Sequence, residues 1–462
     1  MTDPGPTAIL AGFAVQASPS SIDNTEAVTR ALLDTVAVTV AATGQEGEPL
    51  LRRWVRGEGS VDGGATLWTS GEAASAANAA LLNGTAAHVL DYDDISPTMP
   101  MHPSAVLMPA LVALAETRGP VSTEEFVAAH DIGAAAFRAI SEVLPQHIHY
   151  ARGWHTTSTV GRLAATAALT RLVRADVTTA QHALGIVSSL AAGSRPNFGS
   201  MTKPLHAGAA ARDAVMAMEL ALAGFTANPE ELEAPNGFLE RYGDPDEAPA
   251  GGAAQTLEER LEYWLEAWAG NWGLKRYPSC YATHRGIDAV LRLREQAAGA
   301  EVTRIHATLH PRGTRALRSA RPQSATEGKF SLEYVLATAY LRGSVTLRDF
   351  TEAAFADPRV QSLMDCITLE ESAVPPSGTA EFRTGYTVVQ LTLADGRTLT
   401  ERVDVTHGQA LDPLTDEELR GKFDDCCAAG ALTPTQTEAL YAAVTSRPGA
   451  DFTHILRKQV TA

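Results

Sequence analysis

Residues 72–90 read EAASAANAALLNGTAAHVL and residues 124–144 read EEFVAAHDIGAAAFRAISEVL. Alanine has the highest helix propensity, and the apolar positions recur at helical spacing. Stretches of this kind dominate from about residue 22 to residue 269, which predicts a large all-α region. Small residues such as Gly208, Ala209, Ala210 and Ala211 let helices pack closely, and they are read as packing positions without chemistry.

The texture changes after Tyr281. Residues 302–311, VTRIHATLHP, alternate with period two, and residues 386–405, YTVVQLTLADGRTLTERVDV, read as two strands joined by the turn pair Asp395-Gly396. Two helical patterns lie between them: FSLEYVLATAYLRG, stopped by Gly343, and the run from Leu347 to Cys366. The tail returns to helix from Leu414 to Val460, opening on the capping pattern Thr415-Asp416-Glu417-Glu418. The predicted fold class is therefore mainly α with an α+β part. A helical domain over 1–271 is joined by C-terminal helices over 405–462, and an α+β domain covers 272–404. The segment 243–254, GDPDEAPAGGAA, is read as a loop.

Composition narrows the function. In 462 residues, 37 Lys plus Arg stand against 54 Asp plus Glu, a net charge of −17, which repels nucleic acid and anionic lipid. No apolar stretch reaches the roughly 18 residues of a membrane span. The opening MTDPGPTA lacks the basic and apolar regions of a secretory signal, so the cytoplasm is the expected compartment. Four cysteines, Cys280, Cys366, Cys426 and Cys427, are too few and too irregularly spaced for a disulfide framework or a CxxC zinc site. Any anion site must be a local basic cluster.

Four constellations carry candidate chemistry. Asp91-Tyr92-Asp93-Asp94 and His102 follow the helical run that contains His88. Carboxylates beside a histidine invite a metal, but no second histidine stands at i+3 or i+4 from His102, so no metal is expected. His155, Thr156, Thr157 and Ser158 sit at a predicted helix N-terminus, where backbone N–H groups and the helix dipole favour a carboxylate; ordinary capping by Thr157 or Ser158 is the competing account. Lys203 opens another helix, with Thr202 as the expected N-cap and Pro204 in the first turn. A cation there is unfavourable by roughly 0.3–1 kcal/mol, a broken local rule that often marks function, although a surface lysine is the bland alternative. Lys275, Arg276, Cys280 and His284 cluster where the two domains are expected to join, a common location for ligands. Cys280 lacks a surrounding Cys-His-Asn pattern and is read as packing or lining, not as a nucleophile.

Taken in order, GTAAHVLDYDD, MHPSAVLMPALVALAE, GWHTTSTVGRLAATAAL, GSMTKPLHAGAAARDAV, KRYPSCYATHRGIDAV and KFSLEYVLATAYLRG resemble the MmgE/PrpD family from about Ile9 to Phe452. The resemblance implies a helical domain with a smaller α+β lid, a homodimer, and action on small polycarboxylates without metal or organic cofactor. It places the active-site positions on Asp91, His102, His155, Lys203 and Lys275. Lysines would clamp carboxylates while histidines move a proton at the adjacent carbon, with Thr157, Ser158, Cys280, Arg276 and Arg318 as substrate-binding candidates.

Three features separate this chain from parts of that family. Cys280 stands where the decarboxylases carry a histidine, Arg318 lies near the place of their lid tyrosine, and Ile95 replaces a common threonine. The expectation is a dehydratase-like lyase on a hydroxylated di- or tricarboxylate resembling 2-methylcitrate. The alternatives are an epimerase of an iminodisuccinate-like dicarboxylate, a cis-aconitate-type decarboxylase, and a non-catalytic carboxylate-binding protein.

Overall fold

The computed structural model describes residues 4–57, 64–244, 253–314, 316–317, 321–382, 384–446 and 448–457. Of the site candidates, Arg318 lies outside the described residues, as does most of the loop read over 243–254. The chain divides into two compact units. The first comprises Met1–Val89, Asp93–Trp272 and Asp416–Ala462; the second comprises Leu90–Tyr92 and Gly273–Thr415.

The first unit is helical, apart from a two-stranded ribbon of Ala65–Thr66 and Ala73–Ala74. Its centre is built from helices without a polar face. Every residue from Ser104 to Ala115 and from Thr156 to Thr170 is buried. A helix covered all round must lie inside others. The alanine and glycine content of the sequence makes this possible. The helices Ala76–Val89, Ser104–Arg118 and Thr202–Leu222 meet at two glycines: a Cβ on Gly84 would stand 2.9 Å from the Gly208 Cα and 2.8 Å from the Ala105 carbonyl oxygen. The C-terminal helix Asp416–Ala429 joins this unit through Lys422, whose Nζ lies 2.5 Å from Oδ1 of buried Asp34 on the Thr25–Ala41 helix.

The second unit carries a four-stranded sheet in the order Ile367–Glu371, Val302–Leu309, Thr387–Leu393, Thr398–Val403. The first pair is parallel and the others antiparallel. The hairpin turn falls where Asp395-Gly396 indicated, with Gly396 at φ +87°. Helices His284–Ala297 and Leu332–Arg342 supply Ile287, Val290, Leu293 and Leu336 to a core shared with Ile305, Val389 and Leu391. The second of these helices ends in a left-handed Gly343, as read.

Three local expectations are corrected. The run from Leu347 to Cys366 is not one helix. It breaks into Leu347–Phe350, Glu352–Phe355 and Pro358–Met364, because Thr351 and Asp357 each cap a new start and Pro358 cannot continue the preceding turn. The second unit runs past 404 to Thr415. Residues of this stretch are bonded to that unit: Leu274 N–H donates to the Gly408 carbonyl, His407 N–H to Asp288, and Tyr281 pairs with Thr406. Thr202 is the first helical residue and not the cap; its own N–H is bonded to the Ser200 hydroxyl.

Two stability outcomes follow from this packing. A Cβ on Gly208 would lie 2.1 Å from both the Leu81 carbonyl oxygen and Thr85 Oγ1, so Gly208→Ala forces helices apart. The expected loss is about 1–3 kcal/mol or more, read as a lower urea midpoint. His130 is fully buried against the Trp268 ring, 4.9 Å between centroids, with neither ring nitrogen bonded among the described residues. Burial pushes its pKa down to about 3. The unfolded chain then binds more protons between pH about 6.5 and 3, so this residue costs stability as pH falls through that window. His130→Leu is expected to flatten the pH dependence by up to about 1.4 kcal/mol per pH unit there. Urea titrations at pH 7 and pH 5 read the difference.

Candidate active site

The glycine crossing sets where the site forms. His88 lies four residues beyond Gly84 on its helix, while His206 and Lys203 precede Gly208 on the other. Between His88 and the next helix, the chain supplies Asp93, Asp94 and His102. Asp93 Oδ2 is 2.8 Å from His88 Nδ1 and 3.3 Å from His102 Nδ1. The His88 and His102 rings are 4.4 Å apart between centroids, and the His88 and His155 rings stack at 6.0 Å. His155 Nδ1 is 3.1 Å from His206 Nδ1. Four imidazoles thus gather around one carboxylate, with buried Lys203 nearby, its Nζ 5.5 Å from the Phe198 ring centre.

The hydroxyls at the start of the Thr156–Leu172 helix do not cap it. His155 occupies the N-cap position without a side-chain bond. Thr157 Oγ1 instead accepts from the His102 N–H at 3.0 Å, and Ser158 Oγ donates to the His206 carbonyl at 3.2 Å. Both hydroxyls position histidines. Arg162, one turn on, bonds the Ser158 carbonyl and hydroxyl, and its charge is met by Asp213 at 2.8 Å in a buried ion pair.

The electrostatics of the cluster disfavour protonated imidazoles. Burial is the main reason His155 sits well below the usual imidazole range, and the charges of His88, Lys203, His206 and His102 lower it further. His88 is pushed down to about 4 by burial, against the pull of Asp93 and with Lys203 and His102 adding to the depression. His206 also falls to about 4, from burial, then His88, Arg162 and Lys203. The two neighbouring carboxyls part company. Burial raises Asp94 to about 7 despite its Ser104 hydrogen bonds. Burial also works against the Asp93 anion, but the His88 and His102 imidazoles outweigh it and hold Asp93 well below the carboxylate range. His88, Asp93 and His102 are spaced as hydrogen-bonded partners, with both Nδ1 atoms turned to one Asp93 oxygen.

The remaining predicted residues lie in the second unit. Asp91 has a left-handed backbone, φ +52°, and Lys275 Nζ bonds both its carbonyl, at 2.6 Å, and its Oδ1, at 2.9 Å. The Lys275 side chain is fully buried, so its charge is engaged within the protein. Lys329 Nζ reaches the Leu90 carbonyl at 3.2 Å, and the Tyr92 hydroxyl donates to the Arg276 carbonyl at 3.0 Å. Cys280 is buried, and its backbone N–H donates to the Lys329 carbonyl. The Arg276 side chain is exposed and lines a pocket of about 300 Å³ with Tyr277, Asp288, Arg292 and His407.

The structure therefore brings together His102, His155, Lys203, Thr157 and Ser158, and it pairs Asp91, whose carboxylate lies within 4.8 Å of side-chain atoms of His88, Asp93 and His102, with Lys275. Asp93 belonged to the acidic string read in the sequence, but neither it nor His88 nor His206 was assigned a site role there. His206 stood three residues after Lys203, the spacing of neighbours on one helical face, and that signal was available.

Comparison with known proteins agrees with this architecture. Residues 8–250 match the MmgE/PrpD N-terminal domain and residues 277–446 the MmgE/PrpD C-terminal domain. Cis-aconitate decarboxylase of Mus musculus is 30% identical over 359 residues, 75% of this chain and 70% of the relative. The Homo sapiens cis-aconitate decarboxylase is 30% identical over 365 residues, covering 75% and 71%, and that of Aspergillus terreus 24% over 379 residues, covering 77% and 75%. Fold and relatives together define an enzyme of the lyase kind. The chain belongs to the MmgE/PrpD family. Among the described residues, no helix is long and apolar enough to cross a membrane.

The Asp91–Lys275 pair yields a stability outcome. Lys275→Met leaves the Asp91 carboxylate without this buried cation, and removal of one partner of such a pair typically costs about 3–5 kcal/mol. The double variant Lys275→Met/Asp91→Asn is expected to recover part of that loss in urea titrations.

Proposed function

We propose that this chain is a proton-transferring lyase for a small hydroxylated di- or tricarboxylate, removing water in the manner expected for a 2-methylcitrate-like substrate. The observation that supports the reading is the cluster of Lys203 with His88, His102, His155 and His206 inside a chain of net charge −17. The Lys203 charge disfavours the protonated forms of His88, His155 and His206. A bound polycarboxylate relieves that repulsion and draws the imidazole pKa values back up. Beside a bound anion, a neutral imidazole can take a proton from carbon, and a second imidazole, protonated under the pull of that anion, can give one to a leaving group.

In the elimination, one imidazole takes the proton from the carbon next to a carboxylate. The C–H electron pair becomes the new C=C bond, and the C–O bond breaks. A second imidazole, already in its imidazolium form beside the bound polycarboxylate, protonates the departing hydroxyl, which leaves as water, and that ring returns to neutral. Lys203 and the helix N-terminus at Thr156 offset the negative charge that builds on the carboxylate during this step.

Decarboxylation of a cis-aconitate-like substrate is the second reading. The Mus musculus and Homo sapiens relatives at 30% identity favour it; Cys280, at the position where the resemblance places a histidine in decarboxylases, favours elimination. Epimerisation differs from both because nothing leaves.

The test incubates the protein with 2-methylcitrate, citrate, cis-aconitate and iminodisuccinate, following ultraviolet absorbance of the alkene, release of carbon dioxide and uptake of solvent deuterium. New alkene without carbon dioxide is the expected result. Carbon dioxide selects the second reading, and deuterium uptake with neither product overturns both in favour of epimerisation. With the productive substrate, His155→Ala and Lys203→Met are each expected to lower kcat/KM by about 10²–10⁴. Unchanged turnover in both variants would remove this site from the reaction.

A further inference from the structure

Which imidazole serves as the base is decided by the hydrogen-bond pattern around His102. His102 Nδ1 lies 3.0 Å from the Asp94 carbonyl oxygen and 3.3 Å from Asp93 Oδ2. A peptide carbonyl only accepts, so this ring nitrogen carries a hydrogen. In the neutral ring the lone pair then belongs to Nε2. The His102 side chain is 15% exposed, while those of His88 and Asp93 are fully buried. Of the two imidazoles on Asp93, His102 is the one a ligand can reach.

The other half of the arrangement is Asp93. It accepts from both rings and is held as the anion by them. A carboxylate in that position does for His102 what an orienting acid does for a catalytic imidazole: it fixes the ring and stabilises the imidazolium formed once Nε2 has taken a proton. His88 completes the clamp from the opposite side. Its Nδ1–H holds Asp93 in place, and its own buried ring stays neutral.

We propose that Asp93 is the positioning residue that, with the Asp94 carbonyl, makes His102 Nε2 the base of the site, and that His88 is the fixed counterpart holding Asp93 in register. His155 then serves as the acid. Its Nδ1 contact with His206 Nδ1 requires one of the two nitrogens to donate, and His155 gives up a proton from the imidazolium that forms beside the bound polycarboxylate. The titratable and charged groups around this assembly include His88 from the Ala76–Val89 helix, Asp91, Asp93 and Asp94, His155 and His206, and Lys203. This inference rests on the proton-transfer reading of the site, and its tests separate the two.

The first arm needs no substrate. In protein labelled with ¹⁵N-histidine, at pH 7.5, His102 and His88 are expected as Nδ1–H tautomers with unprotonated Nε2, assigned by the resonances lost in His102→Gln and His88→Gln. An Nε2–H tautomer at His102 overturns the proposal. The second arm uses whichever polycarboxylate is turned over. Asp93→Asn keeps the size and one acceptor but removes the charge; kcat is expected to fall about 10²–10⁴-fold, with KM within roughly threefold. Because the anion favours the imidazolium, the acid limb of kcat/KM is expected to move to lower pH. Residual activity on an unmoved pH profile would make Asp93 merely structural and overturn the proposal. Should Asp93→Asn fail to fold, the tautomer measurement on the parent protein still decides. Failure of every polycarboxylate to react would sink the lyase reading and leave the tautomers to be judged alone.

Discussion

The close approach of Gly84 and Gly208 is the constraint on which the site depends. With any side chain at either position, the helices bearing His88 and Lys203 would have to move apart. The third helix at this crossing starts at Ser104, immediately after His102 and Pro103. Three backbones in contact therefore fix three of the chemical groups, without any of them needing a flexible loop. Sites built on packed helices hold their geometry more tightly than sites on loops.

That rigidity explains how the protein keeps so many imidazoles in one place. Each would ordinarily be partly protonated near neutral pH, and several imidazolium ions beside a lysine would repel each other strongly. Burial resolves the conflict by holding the rings neutral, and Asp93 is the carboxylate that the rings keep ionised. Asp94, next in sequence, faces Ser104 and the Trp272 indole and is driven towards its neutral form. Adjacent carboxyls with opposite tendencies serve different ends. Asp93 balances charge among the imidazoles, and Asp94 anchors the start of a helix.

Much of this was legible in the sequence, and the unread part has a physical pattern. Alanine-rich periodicity, the Asp395-Gly396 hairpin and the Gly343 stop are local signals, and local structure follows them. His102, His155 and Lys203 were visible because each sits in a short string with an unusual feature at a helix start. His88 and Asp93 were harder, since a histidine late in a helix and one acid among three look like packing and solvation. Their meaning comes from a contact with His102, and that depends on how three helices cross. The Leu347 to Cys366 run failed for the opposite reason: its apolar spacing suited a helix, but Thr351 and Asp357 offered the backbone better starts. The stretch beyond 404 could not be assigned from pattern alone, because what ties it to the second unit is its bonding to Leu274, Tyr281 and Asp288.

The two lysines of the sequence reading illustrate why residue type alone does not define a role. Lys275 is buried and bonded to the carbonyl and carboxylate of Asp91, whose left-handed backbone is costly for any residue but glycine and is tolerated best by asparagine and aspartate. Its charge stabilises a turn of the chain. Lys203 lies on the first turn of a helix, where the dipole opposes it, among imidazoles whose protonated forms it disfavours. Such a site selects for negative charge by the same forces that keep its histidines neutral. In the proposed reaction binding and proton transfer are coupled, since an anion beside Lys203 would also raise the basicity of the imidazoles that act on it.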